Sequence, residues 1–136
     1  MAWLLDTNVL SELRKGSRAS ANVRNWAAST LRDRHYISVL SLGEIRKGIE
    51  LLRKKSPDKC PEFERWLAQL HTDYAEDILP ISEEVAERWG RLTAIRTFPV
   101  MDGLIAATAL AHGLTIATRN VMDFKSSGSE TLNPFE

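Results

Sequence analysis

The chain has 136 residues, of which 43% are hydrophobic, so it is long enough for one domain with a substantial core. Its 18 basic and 18 acidic side chains cancel, which excludes a strong overall attraction to polyanions and requires any nucleic-acid binding to be local. The single cysteine, Cys60, excludes an internal disulfide and a metal site built from thiolates. There is no signal-peptide pattern, and the longest apolar stretch, residues 103–111, is too short to span a bilayer. We therefore expect a soluble cytoplasmic protein that does not engage a membrane.

Short unbroken apolar runs alternate along the chain with helical patterns. Such runs are typical of strands buried on both faces, as in a parallel sheet. They occur at residues 3–5, 37–40, 78–81 and 114–117. Elsewhere, apolar residues recur at steps of three and four, which predicts helices with one apolar face. The four predicted faces are Val23, Trp26, Ala27 and Leu31; Leu42, Ile45, Ile49 and Leu52; Phe63, Trp66, Leu67, Leu70 and Tyr74; and Ile81, Val85, Trp89 and Leu92.

A further helix is predicted between Pro99 and Gly113, residues that are favoured where helices begin and end. It is apolar nearly all round, which places it in the core. Two polar stretches, residues 54–62 and 125–130, are predicted to be flexible, and neither is a convincing domain boundary. The alternation of strands and helices predicts a single domain over residues 1–136, with an α/β fold: a three-layer α/β/α sandwich around a mostly parallel sheet.

Acidic side chains follow the first predicted strand and open the helix after the second. Asp6 comes directly after the first run, and open α/β sheets bind ligands outside the carboxyl ends of their strands. A helix N-cap would explain Asp6 without any ligand. Ser41 and Glu44 have the spacing of a capping box, and Glu44 could also pair with Lys47 on the helix surface.

The remaining acidic candidates open the last helix or follow the last strand. Asp102 lies in the first turn of the most hydrophobic helix, where the helix dipole offers about 0.3–1 kcal/mol. Burying an unpaired charge costs more than that, so Asp102 either stays hydrated in a cleft or meets a cation. Asn120 and Asp123 follow the fourth run, where a turn would also explain them.

The predicted fold would bring these carboxylates to one edge of the sheet. Clustered carboxylates repel unless a cation is present. Hard oxygen donors favour Mg²⁺, or Mn²⁺ as a substitute, over zinc. The histidines His35, His71 and His112 lack ligand-like spacing, and we interpret them as structural or surface residues.

Four segments, LLDTNVL, SLGEIRKGI, MDGLIAATAL and TIATRNVMDF, resemble in order the signature blocks of the PIN domain family, and most closely its VapC group with the FitB-like members. This resemblance implies a Mg²⁺-dependent endoribonuclease that is the toxin of a type II toxin-antitoxin system. It implies Asp6, Glu44 and Asp102 as catalytic and metal-binding residues. A fourth group comes from the last block, either Asp123 or Asn120, because many relatives have aspartate where this chain has Asn120.

Further residues are expected around these ligands and along the RNA. Thr7, Asn8, Ser41 and Thr118 are expected to hold the ligands by hydrogen bonds. Two basic runs and one arginine beside the site are candidates for RNA phosphate contacts, although a solvated helix face would explain the runs equally well. These residues are Arg14, Lys15 and Arg18; Arg46, Lys47, Arg53, Lys54 and Lys55; and Arg119.

The resemblance also implies partners: an RNA substrate, a cognate antitoxin protein, a second copy in a homodimer, and a larger toxin-antitoxin assembly on DNA. Two other interpretations compete with it. A phosphoacceptor receiver domain needs paired acids after its first strand and a lysine after a late strand, whereas this chain has Asp6 alone and then Thr118 and Arg119. A non-catalytic PIN-like module that binds RNA or protein is the more serious alternative, because fold alone does not grant activity.

Overall fold

The computed structural model describes residues 1–136 as alternating strands and helices. The strands are β1 (Ala2–Leu5), β2 (Arg34–Ser38), β3 (Ile78–Leu79), β4 (Thr115–Ala117) and β5 (Thr131–Leu132). The α-helices are α1 (Thr7–Leu13), α2 (Ala21–Ser29), α3 (Val39–Lys55), α4 (Cys60–Asp73), α5 (Glu83–Ile95) and α6 (Val100–His112), and short 3₁₀ helices cover Gly16–Arg18, Pro57–Lys59 and Val121–Ser127. None of the helices combines the length and apolar character needed to cross a bilayer.

The sheet has the order β3-β2-β1-β4-β5, and every neighbouring pair is parallel. The central strand is β1, whose Leu4 lies opposite Tyr36 of β2 and Ile116 of β4. The chain moves outward from β1 to β2 and β3 and then returns to place β4 on the other side of β1. The carboxyl ends of β1 and β4 therefore form the switch point at which doubly wound sheets bind ligands.

Both faces of the sheet are covered by helices. Successive side chains of a strand point to opposite faces. Trp3 and Leu5 of β1 accordingly pack with Ile45 of α3 in one buried cluster, whereas Leu4 packs with Ile105 of α6 in the other. The predicted α/β fold with helices on both faces of its sheet is confirmed, and the sheet is wholly parallel.

The helix α6 is the most deeply buried helix of the fold. It starts directly after Pro99 and ends at Gly113, whose φ of 64° is left-handed and favours glycine. Its fully buried residues are Gly103, Ile105, Ala106, Ala107, Thr108 and Ala109. The predicted limits and the predicted core position of this helix are confirmed.

The boundary between β2 and α3 differs from the prediction. The apolar run at residues 37–40 was expected to be all strand, but β2 ends at Ser38, which caps α3 by accepting a hydrogen bond from the N–H of Leu40. Ser41 is buried within the helix and is not its N-cap, so the capping box with Glu44 is absent. An N-cap one turn earlier frees the Ser41 hydroxyl for a contact outside the helix.

Of the two polar stretches that were expected to be flexible, residues 54–62 lie almost entirely in helices, whereas residues 125–130 begin in a 3₁₀ helix and continue as irregular backbone. The first contains the 3₁₀ helix Pro57–Lys59, which connects α3 to α4. Cys60, in the same stretch, is fully buried, and its Sγ lies 3.7 Å from the carbonyl oxygen of Ile49. The second leads from Val121–Ser127 into β5, a strand that the sequence did not predict. Leu31, which was assigned to the apolar face of α2, lies beyond the end of that helix and is 78% exposed.

Candidate active site

An open cavity of about 320 Å³ lies at the carboxyl ends of β1 and β4. Asp6 follows β1, Asn120 lies just beyond β4, Glu44 comes from α3 and Asp102 comes from the first turn of α6. The other lining residues are Thr7, Asn8, Ser11, Met101 and Ile105, and neither lysine nor arginine is among them. The structure thus brings three of the four predicted acidic residues, Asp6, Glu44 and Asp102, together with Asn120 around one acidic cavity.

Ser11 was not singled out from the sequence, although a signal was present. It lies four residues after Thr7 in α1, and residues at that spacing share one face of a helix. Met101 and Ile105 also lie four residues apart, in α6, and give the cavity an apolar side. That side reduces the access of water to the neighbouring carboxylates.

The Asp6 carboxylate is held by three donors. Its Oδ1 accepts a hydrogen bond of 2.9 Å from the N–H of Thr7, which makes Asp6 the N-cap of α1. Its Oδ2 accepts bonds from the Thr118 hydroxyl at 2.8 Å and from Asn8 Nδ2 at 3.3 Å. The backbone N–H of Asp6 donates to the carbonyl oxygen of Ala117. The capping interpretation of Asp6 is therefore correct, and the same side chain also lines the acidic cavity.

The loop after β4 is tied to α1 through Thr118 and Asn8. Thr118 Oγ1 lies 3.4 Å from Asn8 Nδ2 and accepts a bond of 3.0 Å from the N–H of Asn120. Asn8 Oδ1 accepts a bond of 3.1 Å from the N–H of Arg119. These bonds fix the direction in which Asn120 enters the cavity.

Glu44 is held by a hydroxyl pair. Thr7 Oγ1 lies 2.8 Å from Glu44 Oε1 and 2.9 Å from Ser41 Oγ. Because a hydroxyl has a single hydrogen, Thr7 donates it to the charged carboxylate and accepts from Ser41. The buried Ser41 thereby fixes the rotamer of Thr7, and Thr7 in turn holds Glu44 at the rim of the cavity.

Asp102 is the acidic residue of the cavity whose negative charge is least compensated by its surroundings. Burial raises the pKa of its carboxyl group, and the negative charges of Asp123, Asp6 and Glu44 raise it further. Neither a hydrogen bond nor an ion pair within the chain compensates this charge. Asp123 lies outside the cavity lining and acts on Asp102 through its charge.

The donor set fits a hard divalent cation. Carboxylate, amide and hydroxyl oxygens are the ligands that Mg²⁺ and Mn²⁺ prefer. No three of the acidic, histidine or cysteine side chains converge closely enough to bind one ion together in this arrangement. The uncompensated charge of Asp102 is nevertheless the feature that a cation in the cavity would relieve.

Two residues of the first basic run are engaged within the protein, whereas Arg18 is exposed and forms no ion pair. Arg14 forms an ion pair of 3.0 Å with Glu62, and its guanidinium lies 4.4 Å from the centre of the Phe63 ring. Lys15 pairs with Glu12 at 3.0 Å. Arg14 therefore links the end of α1 to α4, whereas Lys15 makes a local pair with a residue three positions before it.

The second run divides into paired and unpaired residues. Arg46 and Arg53 both pair with Glu50 and Glu64, which links α3 to α4. Lys47 forms no ion pair and lines a second cavity beside Glu44, on the exposed side of α3. Among the predicted RNA contacts of this run, Lys47 is the cation placed next to the acidic cavity.

Arg119 follows Thr118 and is held by the end of the chain. Its guanidinium lies 4.0 Å from the centre of the Phe135 ring, and its carbonyl oxygen accepts a bond of 3.3 Å from Asn133 Nδ2. Cation–π contacts of this kind are worth about 0.5–1 kcal/mol at exposed sites. The stacking holds the guanidinium of Arg119 against Phe135 without neutralising its charge, and Arg119 does not line the acidic cavity.

The histidines and tryptophans lie away from the cavity. His35 has its pKa lowered by burial and lies 3.0 Å from Thr30 Oγ1. Trp3 and Trp26 pack edge to face with 5.3 Å between ring centres. These contacts belong to the core of the fold.

A wholly parallel α/β sandwich with an acidic cavity at its switch point defines the class of this protein, and comparison with known proteins gives its family. The PIN domain family matches residues 3–126, and the chain belongs to that family. Toxin FitB of Neisseria gonorrhoeae is 32% identical over 137 residues, which cover 97% of each chain. VapC ribonuclease Y4jK of Sinorhizobium fredii is 30% identical over 139 residues, which cover 98% of this chain and 97% of the relative.

A solved structure agrees with these relatives. A chain in the structure of FitAB bound to an IR36 DNA fragment is 33% identical, with a TM-score of 0.82 and coverage of 98% of this chain and 96% of that one. The resemblance to VapC and FitB-like toxins that four sequence segments indicated is thus confirmed over nearly the full length.

Proposed function

We propose that this protein, as one nuclease domain over residues 1–136, is a Mg²⁺-dependent endoribonuclease and the toxin of a toxin-antitoxin pair. The observation that carries the proposal is the acidic cavity at the switch point, whose carboxylates have no cationic partner within the chain. Relatives that are named a VapC ribonuclease and a toxin support it. The reaction is hydrolysis of RNA phosphodiester bonds in the cytoplasm.

Asp6 and Asp102 are the residues that would hold the ion, with Mn²⁺ as a substitute for Mg²⁺. Once bound, a divalent ion lowers the pKa of water and neutralises charge on the phosphate. Asn120 lines the cavity, and we assign it to direct contact with the ion. Asp123 contributes negative charge beside Asp102.

Glu44 is the third catalytic carboxylate, and neighbouring groups hold it in position. Glu44 orients the attacking water or takes part in binding a second ion, with its carboxylate fixed by Thr7. Thr118 and Asn8 keep the oxygens of Asp6 directed by hydrogen bonds. Because water is the nucleophile, the products carry 5′-phosphate and 3′-hydroxyl ends, and 2′,3′-cyclic phosphate ends would contradict this mechanism.

A cleavage assay on structured RNA tests the proposal. Wild-type protein is expected to cleave in Mg²⁺ and not in EDTA, and Asp6→Asn and Asp102→Asn are expected to be inactive. Asp58→Asn is a matched control, because Asp58 lies in the exposed turn Pro57–Lys59 outside the cavity. Equal cleavage by all four proteins would reveal a contaminating nuclease. RNA binding without cleavage by the wild type would instead favour the non-catalytic alternative.

The proposed antitoxin site is an apolar groove that adjoins the acidic cavity at Thr7, Ser11 and Glu44. The groove, of about 320 Å³ between α1, α3 and α4, is lined on its apolar side by Ile45, Ile49, Leu52, Phe63 and Trp66. An antitoxin segment in this groove would reach the catalytic carboxylates. The name of the FitB relative and the structure of FitAB on DNA support an antitoxin and a larger assembly on DNA for this chain.

We also propose a homodimer. The exposed side of α3 and the start of α6 present Val39, Leu51, Val100 and Met101, of which the first three are large hydrophobics that the fold leaves exposed. An exposed apolar patch of this kind is typical of a protein interface. Size-exclusion chromatography of the pure protein, with and without a candidate antitoxin, measures both associations.

A further inference from the structure

We infer that Gly103 is a positioning residue for Asp102, because the absence of a side chain at residue 103 lets Trp89 of α5 set the position of the first turn of α6. This inference rests on the proposed function, in which Asp102 binds a divalent ion. It concerns residues on the side of α6 away from the acidic cavity, none of which lines that cavity.

The position of Asp102 depends on the backbone of α6. Its carboxylate forms no hydrogen bond or ion pair within the chain, unlike Asp6 and Glu44, which are held by neighbouring hydroxyls. The helix also begins without a side-chain cap, since Pro99 is its N-cap. The packing of the first turn of α6 therefore decides where the Asp102 oxygens lie.

That packing is tight at Gly103. A Cβ atom on this residue would lie 3.1 Å from Trp89 Nε1, 3.2 Å from Trp89 Cδ1 and 3.3 Å from Thr93 Cγ2. These distances are shorter than ordinary van der Waals contacts between carbon atoms. The absence of a side chain at Gly103 thus allows α5 to lie close against the turn that carries Asp102.

Both neighbours are restrained by contacts within α5 and with α6. The Thr93 hydroxyl donates a bond of 2.7 Å to the carbonyl oxygen of Trp89, which fixes the methyl group against Gly103. The indole of Trp89 is a rigid plane whose buried N–H has no hydrogen-bond partner. No hydrogen bond therefore anchors this ring, and its position is set by the packing of α5 against α6, the most extensive contact between two elements of the fold. A methyl group at residue 103 should therefore displace the first turn of α6, and Asp102 with it.

The test is Mn²⁺ affinity, measured by electron paramagnetic resonance titration of the apoprotein, together with RNA cleavage. We expect Gly103→Ala to fold and to raise the Mn²⁺ dissociation constant about tenfold or more, which is the size of effect typical of residues that orient a ligand. The half-saturating Mg²⁺ concentration for cleavage should rise in parallel, with the KM for RNA unchanged. Gly90→Ala is the matched control, because Gly90 lies in α5 with open space around its Cβ position.

A double-substitution cycle with Trp89→Leu shows whether the contact itself is responsible. In the presence of Trp89→Leu, adding Gly103→Ala should change Mn²⁺ affinity by less than about twofold, since the two shortest contacts of the added methyl group, both with the indole, are gone. An equal loss in both backgrounds, or wild-type affinity in Gly103→Ala, would overturn the inference. If Gly103→Ala fails to fold, alone or with Trp89→Leu, the residue serves folding and the inference is wrong. Failure of the wild type to bind Mn²⁺ would instead reject the proposed function.

Discussion

The Thr118 hydroxyl donates a hydrogen bond of 2.8 Å to Asp6 Oδ2 across 112 positions of sequence. Asp6 directly follows the central strand β1, and Thr118 directly follows the adjacent strand β4, so the bond joins the two sides of the switch point. Thr118 is fully buried, and the bond therefore lies in an environment where hydrogen bonds to charged groups are strong.

Replacing Thr118 tests the importance of this bond. Thr118→Val keeps the shape of the side chain and removes both the donor to Asp6 and the acceptor for the N–H of Asn120, so we expect cleavage to fall about 10- to 100-fold and the half-saturating Mg²⁺ concentration to rise. Thr118→Ser keeps the hydroxyl and should retain most of the activity. Circular dichroism checks that both variants fold. Unchanged Mg²⁺ dependence in Thr118→Val would show that Asp6 needs no such support.

Asp102→Asn should stabilise the metal-free protein while abolishing cleavage. The raised pKa means that the folded state binds the Asp102 proton more tightly than the unfolded chain does, so ionisation of this group opposes folding. The penalty is present near neutral pH and disappears as pH falls through the raised pKa. The Tm advantage of the variant in EDTA should therefore shrink between about pH 7 and pH 4. A constant or inverted difference, measured beside Asp58→Asn, would contradict the burial of this charge.

Lys47 and Arg46 should respond differently although they are neighbours. Lys47 has no ion pair and lies beside Glu44, so Lys47→Ala should weaken RNA binding and reduce the salt dependence of binding by about one unit of log–log slope. Arg46 is paired with Glu50 and Glu64, and Arg46→Ala should mainly lower the Tm. Binding titrations at several salt concentrations distinguish the two. Equal losses of affinity would show that the ion pairs of Arg46 open to admit RNA.

Gly48→Trp should separate antitoxin binding from catalysis. Gly48 lines the apolar groove, is exposed and has open space around its Cβ position, so an indole there fills the groove without disturbing the core. We expect weaker binding of the cognate antitoxin in a titration, with cleavage close to that of the wild type. Gly90→Trp, on α5, is the control for an added surface indole. Full antitoxin affinity in Gly48→Trp would place the antitoxin elsewhere.

The fold and the acidic residues were accessible from sequence because both depend on local signals. Unbroken apolar runs marked four of the strands, and the carboxyl ends of parallel strands necessarily share one edge, so Asp6 and Asn120 could be expected together. Proline and glycine correctly marked both ends of α6. The α3 N-terminus was misplaced because Val39 and Leu40 continue the apolar run of β2 into the helix, and periodicity alone does not separate the two.

Other features depend on distant partners and gave no local signal. The strand β5 has two residues in a polar segment, and it is a strand only because β4 pairs with it. Cys60 is buried because α4 folds back on α3, although its neighbours in sequence are charged. The ion pair of Arg14 with Glu62 spans 48 positions, so local sequence could not show that this predicted RNA contact is paired within the fold.

Because β1 is the central strand, the acidic cavity can form only late in the synthesis of the chain. Its first strand is the middle of the sheet, and one of its two neighbours, β4, comes more than a hundred residues later. A chain still being synthesised therefore contains Asp6 and Glu44 long before Asp102 and Thr118 exist to join them. Contacts so distant in sequence form late, because their loop-closure entropy must be met first. The nascent chain thus cannot assemble the acidic cavity until almost all of it has been synthesised.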